Sequence, residues 1–306
     1  MAKTKGKKTM KTGGLAAAVT IIIAGIIAAH FLDIFTLDDW KQLFGKQTAV
    51  AEGEAQVHFI DVGQGDCTLV ISGEDSLLID TGEKENAEKI CQYMKKNGVD
   101  SLDYMLLTHP HSDHMGGASD IIKSIEVENV ILPRVSDDMT PTTRFYENFL
   151  DAVSEKGMKM TAAEVGAKYE IGNCSLELIA PVRDYDDLNN YSVSAVLSHG
   201  DNTFLFTGDV EKKAEKDILE NGGFSDIDVY SAAHHGSSTS NSKAVLDVIN
   251  PEYIVISCGV DNSYGHPHDE ILDRFEDYAD EIYRTDLNGT VVFRSSEDGF
   301  EIETEE

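Results

Sequence analysis

The chain has 306 residues, of which 41% are apolar, and its 55 acidic against 25 basic residues give a formal net charge of −30. This length and apolar share allow a packed core in one domain, or at most two, outside the N-terminal segment. The acidic balance excludes a protein that binds nucleic acid through a generally basic surface, because contacts to the phosphate backbone supply most of the affinity in such complexes. The acidity is equally compatible with a role in solubility alone.

The first 54 residues predict a membrane attachment. Residues 1–11 contain five unopposed lysines, which leaves 20 basic against 55 acidic residues in the rest of the chain and a net charge there of −35. Residues 12–32 contain no Asp, Glu, Lys or Arg, and as a helix they would be about 31 Å long, enough to cross the hydrocarbon core of a membrane. Because positive charge stays on the cytoplasmic side, we expect a basic cytoplasmic tail (1–11), a single transmembrane anchor (12–32), a linker (33–54) and an extracellular domain (55–306).

The alternative for this segment is a signal peptide that is cleaved to release a secreted protein. Ala49-Val50-Ala51 has the small-x-small pattern of a cleavage site. It lies farther beyond the apolar stretch than such sites usually do, and the sequence therefore favours the retained anchor.

Residues 55–155 predict strands that alternate with helices. Short apolar runs at 57–60, 67–71 and 77–79 are typical of strands separated by turns. Ala87, Ile90, Cys91 and Met94 have the spacing of one buried helix face, and Asn97-Gly98 predicts the end of that helix. A strand at 104–107, a helix at 116–125, a strand at 130–132 and a helix at 144–156 follow.

The second half of the chain repeats this alternation. Strands are predicted at 176–179, 192–197 and 203–207, a helix at 211–219, a strand at 228–232, a helix at 242–248, a strand at 253–257 and a helix at 269–278. Asn288-Gly289 predicts a hairpin turn between the last strands. The complete order predicts an α/β fold, an αββα sandwich of two sheets flanked by helices. The four cysteines are widely spaced and predict no disulfide framework.

The strongest chemical signal follows the strand at 104–107. His109, His111, Asp113 and His114 place three imidazoles and a carboxylate within six positions. Neutral imidazoles bind borderline metals through nitrogen, and a carboxylate adds charge to the site. An extended backbone turns His109 and His111 to the same side, while Asp113 and His114 lie past the bend and can face a second ion. The pattern predicts a catalytic centre with two metals.

This pattern, followed by Gly116-Gly117, resembles the signature of the metallo-β-lactamase fold superfamily. Five further motifs occur in order along the chain: Asp61-Val62-Gly63-Gln64-Gly65-Asp66, Asp80-Thr81-Gly82, Thr207-Gly208-Asp209, His234-His235-Gly236-Ser237 and Tyr264-Gly265-His266-Pro267. The set resembles the hydrolase domain of the ComEC family of DNA-uptake competence proteins and, more distantly, the phosphorylcholine esterases. The resemblance covers roughly residues 57–293.

The resemblance implies two divalent metal ions, zinc or manganese, and a ligand set. The implied ligands are His109, His111, Asp113, His114, Asp209, His235 and His266. Asp209 is implied to bridge the two ions, although an aspartate there could also cap the helix at 211–219. Which of His234 and His235 is the ligand stays open, and His234 is the expected phosphate contact. Between the histidine turn and Asp209 the only histidine is His199, in a predicted hairpin turn, where the wider superfamily often has a ligand.

Other polar residues of these motifs are expected to support the centre. Asp66 and Asp80 can accept hydrogen bonds from the outer nitrogens of ligand histidines, which sets their tautomer and orientation. Gln64, Asn190 and Ser237 are candidates for hydrogen bonds to a phosphate oxygen. Asp113, Asp209 and His234 are therefore the residues expected to act in catalysis.

These expectations favour a hydrolase in which metals activate water, so that no serine or cysteine nucleophile is needed. The resemblance implies a phosphodiesterase, with DNA as a candidate substrate. One alternative is an esterase for phosphorylcholine-type cell-wall diesters, and another is a metal-stabilised binding module without turnover. The competence-type motifs disfavour a β-lactamase, and a chain with one span is not itself a DNA channel. The sequence identifies no protein partner.

Overall fold

The structure, a computed structural model, describes residue 50 and residues 53–305. The described residues do not include the predicted tail and anchor. Of the predicted linker they include only residues 50, 53 and 54. Within the described part of the chain, no helix combines the length and the apolar character that a membrane span requires.

The first sheet has eight strands, six from the N-terminal half of the domain and two from its C-terminal end. Its strands are β1 (Ala55–Phe59), β2 (Thr68–Ser72), β3 (Asp75–Ile79), β4 (Ser101–Leu106), β5 (Glu126–Leu132), β6 (Met160–Ala162), β14 (Val291–Ser296) and β15 (Gly299–Thr304). Their order is β15-β14-β1-β2-β3-β4-β5-β6. Neighbours from β15 to β3 are antiparallel, whereas β3, β4, β5 and β6 are parallel to one another.

The second sheet has seven strands. They are β7 (Lys168–Ile171), β8 (Cys174–Leu178), β9 (Ala195–His199), β10 (Asn202–Phe206), β11 (Val229–Ser231), β12 (Tyr253–Ile256) and β13 (Glu281–Arg284), in the order β13-β12-β11-β10-β9-β8-β7. The pairs from β10 to β13 are parallel, and the pairs from β7 to β10 are antiparallel.

Helices connect the parallel strands within each sheet, and the last helix leads from the second sheet to the first. They are α1 (Ala87–Lys96), α2 (Ser112–Met115), α3 (Ala118–Ser124), α4 (Arg144–Lys156), α5 (Lys212–Glu220), α6 (Lys243–Ile249), α7 (Asp269–Phe275) and α8 (Thr285–Asn288). Three short 3-10 segments lie at Lys84–Asn86, Asn189–Tyr191 and Ala233–Gly236.

Three apolar clusters hold these layers together. One cluster lies between the sheets and includes Phe59, Phe204 and Phe293, each fully buried. A second packs α1, α3 and α4 on the first sheet, and a third packs α5, α6 and α7 on the second. This layering is the predicted αββα sandwich, which arises because each sheet must bury both of its faces.

The predicted hairpin turn at Asn288-Gly289 is wrong. Residues Thr285–Asn288 form α8, which leads from β13 in the second sheet to β14 in the first. The Oδ1 atom of Asn288 accepts a hydrogen bond from the backbone N–H of Arg284 (2.9 Å), and Gly289 ends the helix with φ +64°. The Asn-Gly pair therefore ends a helix here, and the final hairpin joins β14 to β15. Strands β6, β7 and β15 were not predicted, because their short runs are mostly exposed.

Candidate metal centre

The candidate site residues lie after the carboxyl ends of strands in both sheets. The histidine turn follows β4, Asp209 follows β10, and His234 and His235 follow β11. His266 lies in the loop after β12. Neighbouring parallel strands end at the same edge of a sheet, so residues far apart in sequence meet there.

The histidine turn is compact and largely buried. His109 is fully buried, and its Nε2 atom lies 3.0 Å from Nδ1 of His111. The extended backbone of His111 (φ −95°, ψ 157°) leads into α2, whose first turn contains Asp113 and His114. Gly65 brings the β1–β2 loop against this turn: a Cβ atom there would lie 2.3 Å from the Asp113 carbonyl oxygen, at φ +131°. Only glycine fits this approach.

Two groups of side chains share the carboxylate of Asp209. His109 and His111 form one group with it, and Asp113, His114 and His235 form the other. Within each group the potential ligand atoms lie within 4.8 Å of one another.

The distances assign one oxygen of Asp209 to each side. Its Oδ2 atom lies 3.7 Å from Nε2 of His109. Its Oδ1 atom lies 3.2 Å from Nε2 of His114 and 3.7 Å from Nε2 of His235. Asp209 does not cap a helix, because α5 begins at Lys212 with Glu211 as its N-cap residue.

The polar atoms at the centre fit bound cations. Nε2 of His114, Nε2 of His235 and Oδ1 of Asp209 are buried and make no hydrogen bond to any described residue. An unsatisfied buried polar group costs about 1–3 kcal/mol, and a cation bound among these three atoms would remove that cost. Imidazole nitrogens with carboxylate oxygens are a donor set that suits a divalent metal ion.

The electrostatics of the centre agree with this fit. Burial opposes a charge on His114, yet the carboxylates of Asp209 and Asp113 raise its pKa well above the usual value. Burial likewise opposes a charge on His235, but Asp209 and then Asp66 raise its pKa. The pKa of Asp209 is lowered in spite of burial, chiefly by His114 and His235. A metal ion that binds here must displace protons from these imidazoles.

Asp80 orients the histidine turn from behind. It is fully buried and accepts hydrogen bonds from the Thr108 backbone N–H (2.8 Å), the Thr108 hydroxyl (2.6 Å) and Nδ1 of His114 (2.8 Å). Asp66 lies farther away, 3.4 Å from Nδ1 of His235 and 3.9 Å from Nδ1 of His114. The contact at Asp80 leaves Nε2 of His114 to face Asp209.

Three further residues, which the sequence did not predict, contact the Nδ1 atoms of His109 and His235. Nδ1 of His109 lies 3.2 Å from the hydroxyls of Thr108 and Ser192, and Nδ1 of His235 donates to the Ser257 carbonyl (2.9 Å). Thr108 could have been noticed, because it immediately precedes the first ligand histidine. Ser192 and Ser257 carry no local signal, since their histidine partners are distant in sequence.

The structure places His234 and His235 differently. Both have left-handed backbone conformations, at φ 51° and φ 55°, which are strained for residues other than glycine. Both line the cavity, but His235 is buried and belongs to the group of Asp113, His114 and Asp209, whereas the side chain of His234 is 19% exposed and belongs to neither group. Gly236 permits this turn, because a Cβ atom there would lie 2.6 Å from Cβ of Pro267.

His266 lies beside these groups. Its ring centroid is 5.5 Å from that of His234 and 6.1 Å from that of His235. Burial, followed by the charges of His235 and His234, lowers the pKa of His266 to about 4. Its Nδ1 atom is buried without a hydrogen-bond partner among the described residues, but it belongs to neither ligand group around Asp209.

The three predicted phosphate contacts are placed differently. Gln64 lines the cavity, and its Nε2 atom is buried without a partner in the described chain while Oε1 accepts from the Gly259 backbone (3.2 Å). Asn190 lies outside the cavity lining and accepts hydrogen bonds from two backbone N–H groups at the start of α5. Ser237 also lies outside the lining, and its hydroxyl contacts Thr239 at 3.1 Å.

A cavity of about 640 Å³ opens above the centre. Its polar lining includes His111, Asp113 and Asp209, and its apolar lining includes Phe145 and Leu188. Among the described residues that line it, none is lysine or arginine. A bound anion would therefore depend on metal ions for positive charge.

The fold and the site together define an αββα protein with a His/Asp centre suited to metal ions at the floor of an open cavity. Residues 60–260 match the family described as the metallo-beta-lactamase superfamily. The chain therefore belongs to that superfamily and is a metal-dependent hydrolase related to competence proteins.

The chain is similar in sequence to curated relatives and in fold to a solved structure. The chain is 29% identical to ComE operon protein 3 of Bacillus subtilis over 262 residues, which cover 79% of this chain and 33% of the relative. It is 31% identical to Recombination protein 2 of Haemophilus influenzae over 257 residues, which cover 81% of this chain and 30% of the relative. The chain thus spans about a third of the length of these proteins. The metallo-beta-lactamase fold protein YhfI from Bacillus subtilis has a similar fold, with a TM-score of 0.52 and 14% identity over 79% of this chain and 99% of YhfI.

Proposed function

We propose that the protein is a phosphodiesterase, with nuclease activity as the favoured form, and that it binds two divalent metal ions, zinc or manganese. The observation that best supports this proposal is the carboxylate of Asp209, whose two oxygens face two different groups of histidines. A carboxylate shared in this way suits a pair of ions that act on one phosphate. The relation to competence proteins supports DNA as the substrate.

Each ion would have its own set of ligands. One ion would be held by His109, His111 and Asp209, and the other by Asp113, His114, Asp209 and His235, with His266 as the remaining expected ligand beside them. Bound divalent ions supply Lewis-acid stabilisation of charge on phosphoryl oxygens and acidify water at neutral pH. In the overall reaction, a water oxygen bonds to phosphorus, the ester P–O bond breaks, and the alcohol leaves with a proton.

The chain's own residues position the substrate. His234 lines the cavity with its Nε2 atom 3.5 Å from Oδ2 of Asp209, and it is placed to donate a hydrogen bond to a phosphate oxygen. The unpaired Nε2 of Gln64 offers a second donor. Asp80 keeps Nε2 of His114 aimed at the centre through the hydrogen bond to Nδ1.

A parallel assay tests the proposed chemistry. Purified full-length protein, supplied with Zn²⁺ or Mn²⁺, is given single-stranded DNA, bis-p-nitrophenyl phosphate, p-nitrophenylphosphorylcholine and nitrocefin. We expect cleavage of DNA and of the simple diester. Opening of nitrocefin without any diester cleavage would refute the phosphodiesterase proposal. Elemental analysis after saturation and desalting should give close to two metal equivalents, and a value near one would refute the two-ion centre.

We also propose that residues 12–32 anchor the chain as a single span with its catalytic domain outside the cell. The support is the uncharged span and the lysines that precede it. Protease added to intact cells should remove the domain and spare cytoplasmic markers. Protection of the domain would reverse this topology, and release of the domain into the medium would favour cleavage after Ala51.

A further inference from the structure

Tyr264 is an aromatic residue that lines the cavity and is nevertheless largely open to solvent. Its exposed fraction is 64%, which is high for a large apolar side chain at a concave site. The ring is stacked on His266, with centroids 5.6 Å apart and planes inclined by 17°. A flat aromatic surface therefore stands beside the candidate centre.

The loop that carries Tyr264 is held in place by Asn262. Its Oδ1 atom accepts from the His266 backbone N–H (3.0 Å), and its Nδ2 atom donates to the carbonyls of Gly259 (2.9 Å) and His266 (2.6 Å). These three hydrogen bonds close the loop around Tyr264. A ligand that stacks on the ring would therefore lose little binding energy to ordering the loop.

The charge of the site limits the ligands that can use this surface. The described residues that line the cavity include no lysine or arginine, and the protein as a whole is strongly acidic. Phosphates within the cavity would thus meet no lysine or arginine among the described residues that line it. Affinity for a substrate must come from the metal centre and from uncharged contacts, and Tyr264, Phe145 and Leu188 are the large apolar groups that the lining offers.

We propose that Tyr264 is a stacking platform for an unpaired nucleobase next to the scissile phosphodiester, so that single-stranded nucleic acid is the substrate class. This inference rests on the proposed phosphodiesterase function. Stacking on an aromatic ring tolerates every base, because each base has a π-face, whereas the bases of a duplex are already stacked on one another. Tyr264 thus favours unpaired over paired bases and does not distinguish one base from another.

Equilibrium binding tests the platform without relying on turnover. Calorimetry on the metal-loaded full-length protein compares thymidine 5′-monophosphate with methyl phosphate, which lacks the base. Tyr264→Ala should weaken the affinity for the nucleotide by about tenfold, which corresponds to the loss of one base–aromatic stack. The affinity for methyl phosphate should not change. Tyr264→Phe should bind as the wild type does. Val260→Ala is the matched control, since Val260 is 70% exposed in the same loop and does not line the cavity.

Kinetics provide a second readout with a matched substrate pair. Thymidine 5′-(p-nitrophenyl phosphate) and methyl p-nitrophenyl phosphate release the same leaving group and differ in the nucleoside. Tyr264→Ala should raise KM for the thymidine substrate by about tenfold with kcat nearly unchanged, because stacking stabilises the bound substrate and the transition state equally. The KM of the methyl substrate should not change.

The outcomes separate this inference from the function on which it rests. An equal loss of activity of Tyr264→Ala on the thymidine and methyl substrates would show that Tyr264 only positions His266. A loss of activity confined to p-nitrophenylphosphorylcholine would show that the ring binds a quaternary ammonium group. Either result overturns the proposal. Hydrolysis without any dependence on Tyr264 would overturn it while the phosphodiesterase function stands. Nucleotide binding that depends on Tyr264 in a protein without turnover would support the platform and refute the hydrolytic function.

Discussion

Asp80→Asn is the most informative single change outside the ligand set. The Oδ1 atom of Asp80 accepts from the Thr108 backbone N–H, while Oδ2 accepts from the Thr108 hydroxyl and from Nδ1 of His114. In the asparagine variant the amide oxygen must accept from the backbone N–H of Thr108. In the reverse orientation the amide NH2 group would face that N–H, and two donors would oppose each other. The amide nitrogen then faces Nδ1 of His114, which must accept a hydrogen bond.

In neutral His114, the form that binds metal, this exchange moves the ring proton from Nδ1 to Nε2. A proton on Nε2 removes the lone pair that faces Asp209 at 3.2 Å, and with it one ligand of the second group. Loss of an outer partner of a ligand histidine costs about 10- to 100-fold in metal affinity, or about 1.4–2.7 kcal/mol. The metal-free fold should also lose stability, because Asp80 is one of the carboxylates that raise the pKa of His114, and breaking a buried ion pair costs about 3–5 kcal/mol. Burial raises the pKa of Asp80, whereas the charge of His114 and the hydrogen bonds from His114 and Thr108 lower it.

Competition with a chelator measures the affinity, and urea unfolding with excess chelator measures the stability of the metal-free fold. The matched control is Asp103→Asn, because Asp103 also accepts a backbone hydrogen bond (from Ser76, 2.8 Å) and belongs to none of the ligand groups in the described chain. The control should bind both metals as the wild type does. Equal metal affinity in the Asp80 variant and the wild type would refute the tautomer argument.

Three further predictions address other residues. Asp209→Asn should abolish hydrolysis of bis-p-nitrophenyl phosphate with an unchanged circular dichroism spectrum, whereas Asp201→Asn in the exposed β9–β10 turn should remain active; activity in the first variant would remove the bridging role. His234→Ala should lower turnover and keep both metals by elemental analysis, whereas His235→Ala should lose metal, and the opposite result would exchange their roles. Burial, followed by the charge of Arg294, lowers the pKa of His58 from 6.5 to about 3, so the unfolded state binds the extra proton as pH falls below 6.5. At pH 5 this group should lower the free energy of unfolding by about 2 kcal/mol. In urea titrations of the metal-free protein, His58→Gln should remove that contribution to the pH dependence of the free energy of unfolding. The same pH dependence in the variant and the wild type would contradict the assignment.

Much of the architecture follows from local sequence patterns. The helix predicted at 144–156 matches α4 at both ends, and the strand predicted at 203–207 differs from β10 by one residue. These elements are predictable because apolar periodicity reports which face of a segment will be buried. The histidine turn was legible for a related reason, since its four ligand-type side chains lie within six positions and need no distant contact to be recognised.

Tertiary structure alone decided how distant residues share the site. The sequence favoured His235 as the ligand and His234 as the phosphate contact without deciding between them. Only the folded chain buries His235 beside Asp209 and leaves His234 partly exposed. Asn190 was a candidate phosphate contact, yet α5 uses its carbonyl as a cap. Tyr264 gave no signal of its exposed, stacked position. Such assignments depend on contacts between segments far apart in sequence, and these contacts exist only once both sheets have packed and their strand ends have met.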